Sequence, residues 1–495
     1  MRRTDAVPLG AGALAALALV ATGCARTAPA VAPAVEEDAV QVVRETPPVP
    51  GAAPELTLPE AQRFTLGNGL DVILVERHEL PVVDARLVVR TGAAADSPAL
   101  AGRMTLLADM LDEGTTSRSA LEIADALDFL GAELSTSAGW DASVLDLHVL
   151  RPRLEPALEI MADVLLRPAF PEDELSRKRD ERLARLIQQL DEPSFLASNA
   201  FAAVLYGPDH PFGVSTLGTR STVPALGADV LRAAYDDFYR PNNAFLVVVG
   251  DVRVAELQPM LEDAFGEWRP GSVPDVDVPA APDGGRTAVY IVDKPGAAQS
   301  EIRIGHVGVA RDTPDYFPLL VMNTVLGGSF TSRLNMNLRQ THGWTYGAGS
   351  SFDQRRAPGP FVASAAVHTG VTDSAVVEFV REMRRIRDEP VPDAELERAR
   401  NYVAYGLARR FETTSDVALR LAEAELYGLG SDFYDRYVAS VRAVDADDVA
   451  RVAREHLRPD RWAIVIAGDR AEIEADLRAL GLGDIVVREL EEAGS

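Results

Sequence analysis

Tyr239-Arg-Pro-Asn-Asn-Ala-Phe-Leu-Val-Val-Val-Gly-Asp251 reads as a helix exit, a fully apolar strand and a turn. The chain repeats it as Leu457-Arg-Pro-Asp-Arg-Trp-Ala-Ile-Val-Ile-Ala-Gly-Asp469. Pro241 matches Pro459 and Gly250 matches Gly468, a constant offset of 218 residues. Each copy follows an amphipathic helical pattern. That period is far too long for a solenoid, so it marks the duplication of a whole domain.

Working outward, Phe64 to Leu74 predicts a strand, a Gly67-Asn68-Gly69 turn and a second strand. Another strand is expected from Val82 to Arg90. Helices are expected over 99–112, 119–130, 153–166, 172–190 and 226–237. The Pro-, Gly-, Asp- and Ala-rich stretch 271–287 is a boundary. Strands at 287–292 and 301–309 and a helix at 315–327 open the second copy. The resulting expectation is an α+β chain. Its N-terminal domain covers 56–270, its linker 271–287 and its C-terminal domain 288–490, and each domain packs a mostly antiparallel sheet against helices.

Residues 1–24 read as an export signal. Arg2 and Arg3 precede an apolar run from Leu9 to Ala21, too short for a comfortable membrane span. Ala21-Thr22-Gly23-Cys24 is similar to a bacterial lipoprotein box. Cleavage before Cys24 and its lipidation are expected, with an ordinary secretory signal as the alternative. The alanine after Cys24 points to the outer membrane, with the body facing the periplasm. Residues 25–55, rich in Ala, Pro, Val and Glu, form an expected disordered tether.

Composition narrows the chemistry. The 495 residues carry a formal net charge of −26, which argues against nucleic-acid binding because phosphate recognition needs a basic surface. The single cysteine excludes an intrachain disulfide and a multi-thiolate zinc site. None of the histidines at 78, 148, 210, 306, 342, 368 and 456 lies three to five residues from another. No G-x-S-x-G elbow is present. Gly327-Gly328 lacks the rest of a phosphate loop and reads as a helix entry. His210, alone in a turn, reads as structural.

The run Leu100-Ala-Gly-Arg-Met-Thr-Leu-Leu-Ala-Asp-Met-Leu-Asp-Glu-Gly-Thr115 follows a strand and opens a helix. It resembles the zinc-helix segment of the pitrilysin/insulinase metallopeptidases, in which H-x-x-E-H precedes a Gly-Thr pair. Tyr206-Gly-Pro-Asp-His-Pro-Phe-Gly213, Leu217-Gly-Thr219 and Tyr239-Arg-Pro241 fit the same layout. The resemblance spans about residues 60 to 485. It implies two homologous LuxS/insulinase-type domains forming half of a clam-shell.

The zinc motif itself is lost. The two histidine positions read Thr105 and Asp109, and the base-glutamate position reads Ala108. Counting back from the Asp191-Glu-Pro193 turn puts the third ligand at Arg185. One carboxylate beside a hydroxyl cannot supply the imidazole-rich set that zinc takes. An Asp109–Arg185 ion pair is expected in the vacated place.

Gly327 to Gly347 resembles the family's C-terminal segment, in which an arginine and a tyrosine seven residues later reach a facing half-shell's active site. Here they are Arg339 and Tyr346. Both can donate hydrogen bonds to a carbonyl or an oxyanion. By spacing alone they fit as well an arginine at a helix C-terminus and a tyrosine packed in a following strand. The resemblance implies a subunit without a cofactor of its own, paired with a zinc-bearing homologue that hydrolyses peptides. The alternative is a lipid-anchored scaffold or peptide-binding pseudoprotease.

Overall fold

The computed structural model describes residues 60–282 and 284–488. Cys24, residues 25–55 and the signal segment lie outside the described residues. Strands β1 (Gln62–Thr65), β2 (Asp71–Glu76), β3 (Val82–Val89), β4 (Glu133–Ala138), β5 (Ser143–Leu150) and β6 (Ala244–Gly250) form one sheet, in the order β1-β2-β6-β3-β5-β4. Strands β7 (Ala288–Asp293), β8 (Gln299–Val307), β9 (Ala348–Phe352), β10 (Pro360–His368), β11 (Ala463–Gly468) and β12 (Asp484–Arg488) form the other, in the order β12-β7-β11-β8-β10-β9.

Five strands repeat in the same order, including one parallel neighbour: β2 beside β6, and β7 beside β11. The sixth strand differs in origin. β1 pairs antiparallel through the Gly67-Asn68-Gly69 turn, whereas β12 arrives from the C-terminus and pairs parallel. The central β6 and β11 are buried at every residue, which explains their unbroken Val, Ile and Ala runs. At the sheet margin β4 alternates exposed and half-buried residues.

The first domain adds helices α1 (Arg103–Asp109), α2 (Ala120–Leu130), α3 (Leu154–Leu166), α4 (Glu172–Gln189), α5 (Pro193–Tyr206), α6 (Ala228–Phe238) and α7 (Val254–Phe265). The second adds α8 (Tyr316–Leu326), the short α9 (Arg333–Asn335), α10 (Thr372–Asp388), α11 (Asp393–Arg409), α12 (Thr414–Leu426), α13 (Tyr437–Ala443), α14 (Ala446–His456) and α15 (Arg470–Ala479). The expected helix at 99–112 is shorter than its pattern. Gly102 sits at φ +93°, where a Cβ would lie 2.8 Å from the Leu217 carbonyl oxygen, and it delays the helix to Arg103. Helix α5 and strands β4 and β5 were not anticipated from the sequence.

The domains exchange a helix. Leu196, Ala197, Ala200, Phe201 and Leu205 of α5 pack on Val292, Ala463, Val465 and Ala467 of the second sheet. In return, α12 buries Val417, Ala418 and Ala422 in a core shared with Val88, Phe245 and Val247 of the first sheet. Each sheet therefore has one face covered by its own helices and one by the other domain. That reciprocity fuses two duplicated cores, because neither sheet can bury both faces alone.

Candidate functional site

Helix α1 carries the altered motif. Met104, Thr105, Leu106, Leu107 and Ala108 are buried, and Asp109 is half-exposed at its end. Asp96 holds the start of the helix, accepting from the Met104 backbone N–H at 3.1 Å and from Arg103 Nε at 3.0 Å. Burial pushes the Asp96 carboxyl up to about 6.

The residue that enters this place from α4 is Arg182, not Arg185. The Arg182 side chain is only 4% exposed, whereas Arg185 faces outward. Arg182 Nη2 donates to Asp109 Oδ2 at 2.5 Å. Its Nη1 donates to Thr105 Oγ1 at 3.0 Å and to the Gly102 carbonyl at 2.9 Å. The expected Asp109–Arg185 pair is therefore corrected by one helical turn. The cause is geometric: Leu175, Arg182 and Leu186, spaced seven and four apart, form the inward stripe of α4. Burial lowers the Arg182 guanidinium from its ordinary range, and the Asp109 charge opposes that shift.

The other positions are also committed. Thr105 Oγ1 donates to the Thr216 carbonyl at 2.6 Å. Ala108 has no side-chain donor atom, and its carbonyl accepts from Thr136 Oγ1 of β4 at 2.7 Å. Zinc takes neutral imidazole, thiolate or carboxylate donors, usually three from protein in a catalytic centre. Thr105, Ala108, Asp109 and Arg182 offer one carboxylate already neutralised by a guanidinium, so they do not fit the ion. The Gly114-Thr115 pair persists for a structural reason. Thr115 Oγ1, Ser117 Oγ, Arg118 Nη1 and Arg167 Nε all donate to the buried Asp163 carboxylate at 2.6–2.8 Å.

The second constellation lies in the C-terminal domain. Here almost every side chain from Ser332 to Leu338 points inward. Arg333 makes a two-pronged pair with Glu395 at 2.9 and 2.7 Å. Leu334 and Leu338 are fully buried. Asn337 Nδ2 donates to Glu378 at 2.7 Å and to Glu382 at 2.9 Å. Asn335 Oδ1 accepts from the Ala348 N–H that starts β9. A π-helical turn, Met336–Thr341, places Arg339 in the last turn. Gly343, at φ +69°, closes it: its N–H bonds to the Arg339 carbonyl and the Trp344 N–H to that of Leu338.

Arg339 is half-buried beside this scaffold and Tyr346 is exposed. The Arg339 guanidinium lies 4.7 Å from the Phe330 ring centroid, and Phe330 is itself exposed. Tyr346 is 91% exposed in the loop before β9. The alternative of a tyrosine packed in a strand does not hold. Phe330 was not anticipated, because it lies in the turn before the helix, where no periodicity links it to Arg339.

His210 is structural: Nδ1 accepts from the Phe212 N–H at 3.0 Å, Nε2 donates to the Pro279 carbonyl at 2.9 Å, and the ring packs among Tyr206 and Phe212. Among the described residues, one cluster has the ligand types of a cation site: Asp315, Glu455 and His456. Arg451 already bridges it, 2.8 Å from Asp315 and 3.0 Å from Glu455. Among the described residues, no helix is long and apolar enough to cross a membrane.

Two family models match the chain. Residues 71–207 match insulinase (peptidase family M16), and residues 225–403 match the peptidase M16 inactive domain. The chain is 27% identical over 406 residues to a protein of Streptomyces coelicolor named an uncharacterized zinc protease, covering 80% of this chain and 87% of that one. It is 23% identical to a Bacillus subtilis protein of the same description, covering 81% and 96%. Among solved structures, a peptidase M16 inactive domain from Pseudomonas fluorescens superposes with a TM-score of 0.77 at 26% identity, over 82% of this chain and 98% of that one. A Helicobacter pylori protease gives 0.77 at 19% identity, over 83% and 100%, a likeness of fold.

Proposed function

The chain belongs to the insulinase (M16) peptidase family, and from that premise we propose that it is the zinc-free subunit of a peptidase pair. Its partner is a homologue that carries the zinc. The observation that carries this reading is the Arg182 guanidinium, bonded to both former histidine positions and standing where a dication would have to bind. A chain that had kept hydrolysis for itself would not spend that place on a cation.

The half-buried Arg339 and the exposed Tyr346 support the other half of the reading. A guanidinium and a phenol held on a rigid scaffold are donors for a peptide carbonyl and for the oxyanion that develops on it. Neither is consumed by a partner within the chain, so both are free to act in the partner's site. The substrate is a peptide or unfolded segment. It adds as a strand at a sheet margin, where β4 lies against α1 and β9 follows Tyr346 directly. The chain is held at the outer membrane, facing the periplasm, through a lipid on Cys24.

The test is reconstitution with a zinc-bearing homologue from the same genome. Peptide cleavage that needs both chains supports the proposal. Cleavage by the homologue alone, at a rate this chain does not change, leaves a scaffold and overturns it.

A further inference from the structure

The loop Gly327-Gly-Ser-Phe-Thr-Ser332 joins α8 to α9 and is held at both ends. The Gly327 and Gly328 N–H groups both bond to the Asn323 carbonyl in the last turn of α8, at 2.8 and 2.7 Å. Neither glycine has room for a side chain. A Cβ at Gly327 would lie 2.2 Å from the Ser350 nitrogen of β9, and one at Gly328 would lie 2.9 Å from Asn323 Nδ2. At the far end the Ser332 N–H bonds to the Ser329 carbonyl at 3.1 Å. The buried Asn335 donates from Nδ2 to the Phe330 carbonyl at 2.6 Å. The glycine pair is thus more than a helix entry: it begins a pedestal, and the side chain standing on that pedestal is Phe330.

Burial does not account for a phenyl group there. Phe330 is 57% exposed, so it recovers only part of the free energy of leaving water. Among the described residues no other ring stacks on it, whereas the Arg339 guanidinium carbon stands 4.7 Å from its centroid. No carboxylate pairs with Arg339 among the described residues. A long side chain without a fixed polar partner spreads over many rotamers, and an aromatic face beneath a guanidinium narrows that set.

We propose that Phe330 is a positioning residue, whose ring holds the Arg339 guanidinium ready for the substrate carbonyl in the partner's site. The inference rests on the role proposed above for Arg339. Phe330 acts through that side chain and does not itself touch the substrate. A donor already oriented costs no reorganisation when charge develops on the carbonyl oxygen, so the ring contributes to turnover more than to binding.

The test is kcat and KM of the reconstituted pair with this chain carrying Phe330→Leu, Phe330→Tyr, Phe330→Trp, Arg339→Ala, or Phe330→Leu and Arg339→Ala together. Leucine keeps an apolar side chain and removes the π face. It should lower kcat about fivefold, as for loss of a partly exposed cation–π contact, with KM unchanged within about twofold. Tyrosine and tryptophan keep the face and should restore the parent rate. In the Arg339→Ala background, Phe330→Leu should have no further effect. Parent-like cleavage with leucine, or a leucine effect that persists without Arg339, would overturn the proposal and leave the role of Arg339 standing. Unchanged cleavage with Arg339→Ala would instead remove that role, and this inference with it. A second measurement needs no partner: the Arg339 Nε–H resonance of the chain alone, assigned by its loss in Arg339→Ala. It should report a restricted side chain that Phe330→Leu releases, and equal mobility in both chains would overturn the proposal whatever the cleavage rates.

Discussion

Combining Thr105→His, Ala108→Glu, Asp109→His and Arg182→Glu should rebuild a zinc centre in this chain. The magnitude follows from reach. Arg182 Nη1 and Nη2 stand 3.0 and 2.5 Å from the Thr105 and Asp109 side chains, so one α4 position already meets both α1 positions. A glutamate oxygen ends two bonds short of a guanidinium nitrogen, roughly 2.5 Å, and a metal–oxygen bond of ~2.1 Å fills that gap. The control replaces Arg185 in place of Arg182. It leaves a cation in the ion's position, where a dication about 3 Å away at an effective dielectric near 20 is repelled by on the order of 10 kcal/mol. Metal content after dialysis and urea unfolding with and without zinc form the assay. The Arg182 version should hold about one zinc per chain and gain about 2.7 kcal/mol when free zinc is 100 times its dissociation constant. Zinc retention by the Arg185 control, or by neither protein, would refute the placement of the site.

Asp163→Ala removes the acceptor of four donors, leaving Arg118 and Arg167 half able to regain water. It should cost about 3 kcal/mol in denaturant unfolding, without changing how the chain pairs with its partner. His306 is buried and neutral, accepting from the Arg458 N–H and donating to the Val307 carbonyl; burial pushes it down to about 4. A depressed histidine contributes stability above its ordinary 6.5 that is lost as pH falls from there towards 4, here roughly 3 kcal/mol. The urea midpoint of His306→Gln should flatten across that window relative to the parent chain. Tyr346→Phe, at a 91% exposed position, should move stability by less than about 0.5 kcal/mol while lowering the pair's cleavage rate on the order of 100-fold.

The duplication was legible because each domain buries its central strand on both faces, which forces the apolar runs ending in Gly250 and Gly468. Helices with one apolar stripe, such as α2 and α6, followed from periodicity for the same reason. Helix α5 did not. It is buried along several faces between the domains, so its sequence from Pro193 to Tyr206 is apolar without a clear period. Strand β4 was hidden by its polar, exposed margin, although the alternation of Ser143 to Leu150 in β5 was readable. In the site, Asp109 as one member of an ion pair with α4 was legible, because a Gly-Thr pair anchors the count on α1. Arg185 was not, because counting back from a turn fixes a distance along the chain, whereas the facing side of α4 is set by what Leu175 and Leu186 bury.

The most direct measurement is kcat/KM for peptide cleavage by the reconstituted pair, with this chain unaltered or carrying Arg339→Ala. The half-buried Arg339 guanidinium rests on the Phe330 ring, and substitution at this position should leave the fold and the zinc subunit intact. A fall on the order of 100-fold or more is predicted, as for loss of an oxyanion donor. Unchanged cleavage would contradict the account and leave Arg339 a surface residue of a scaffold.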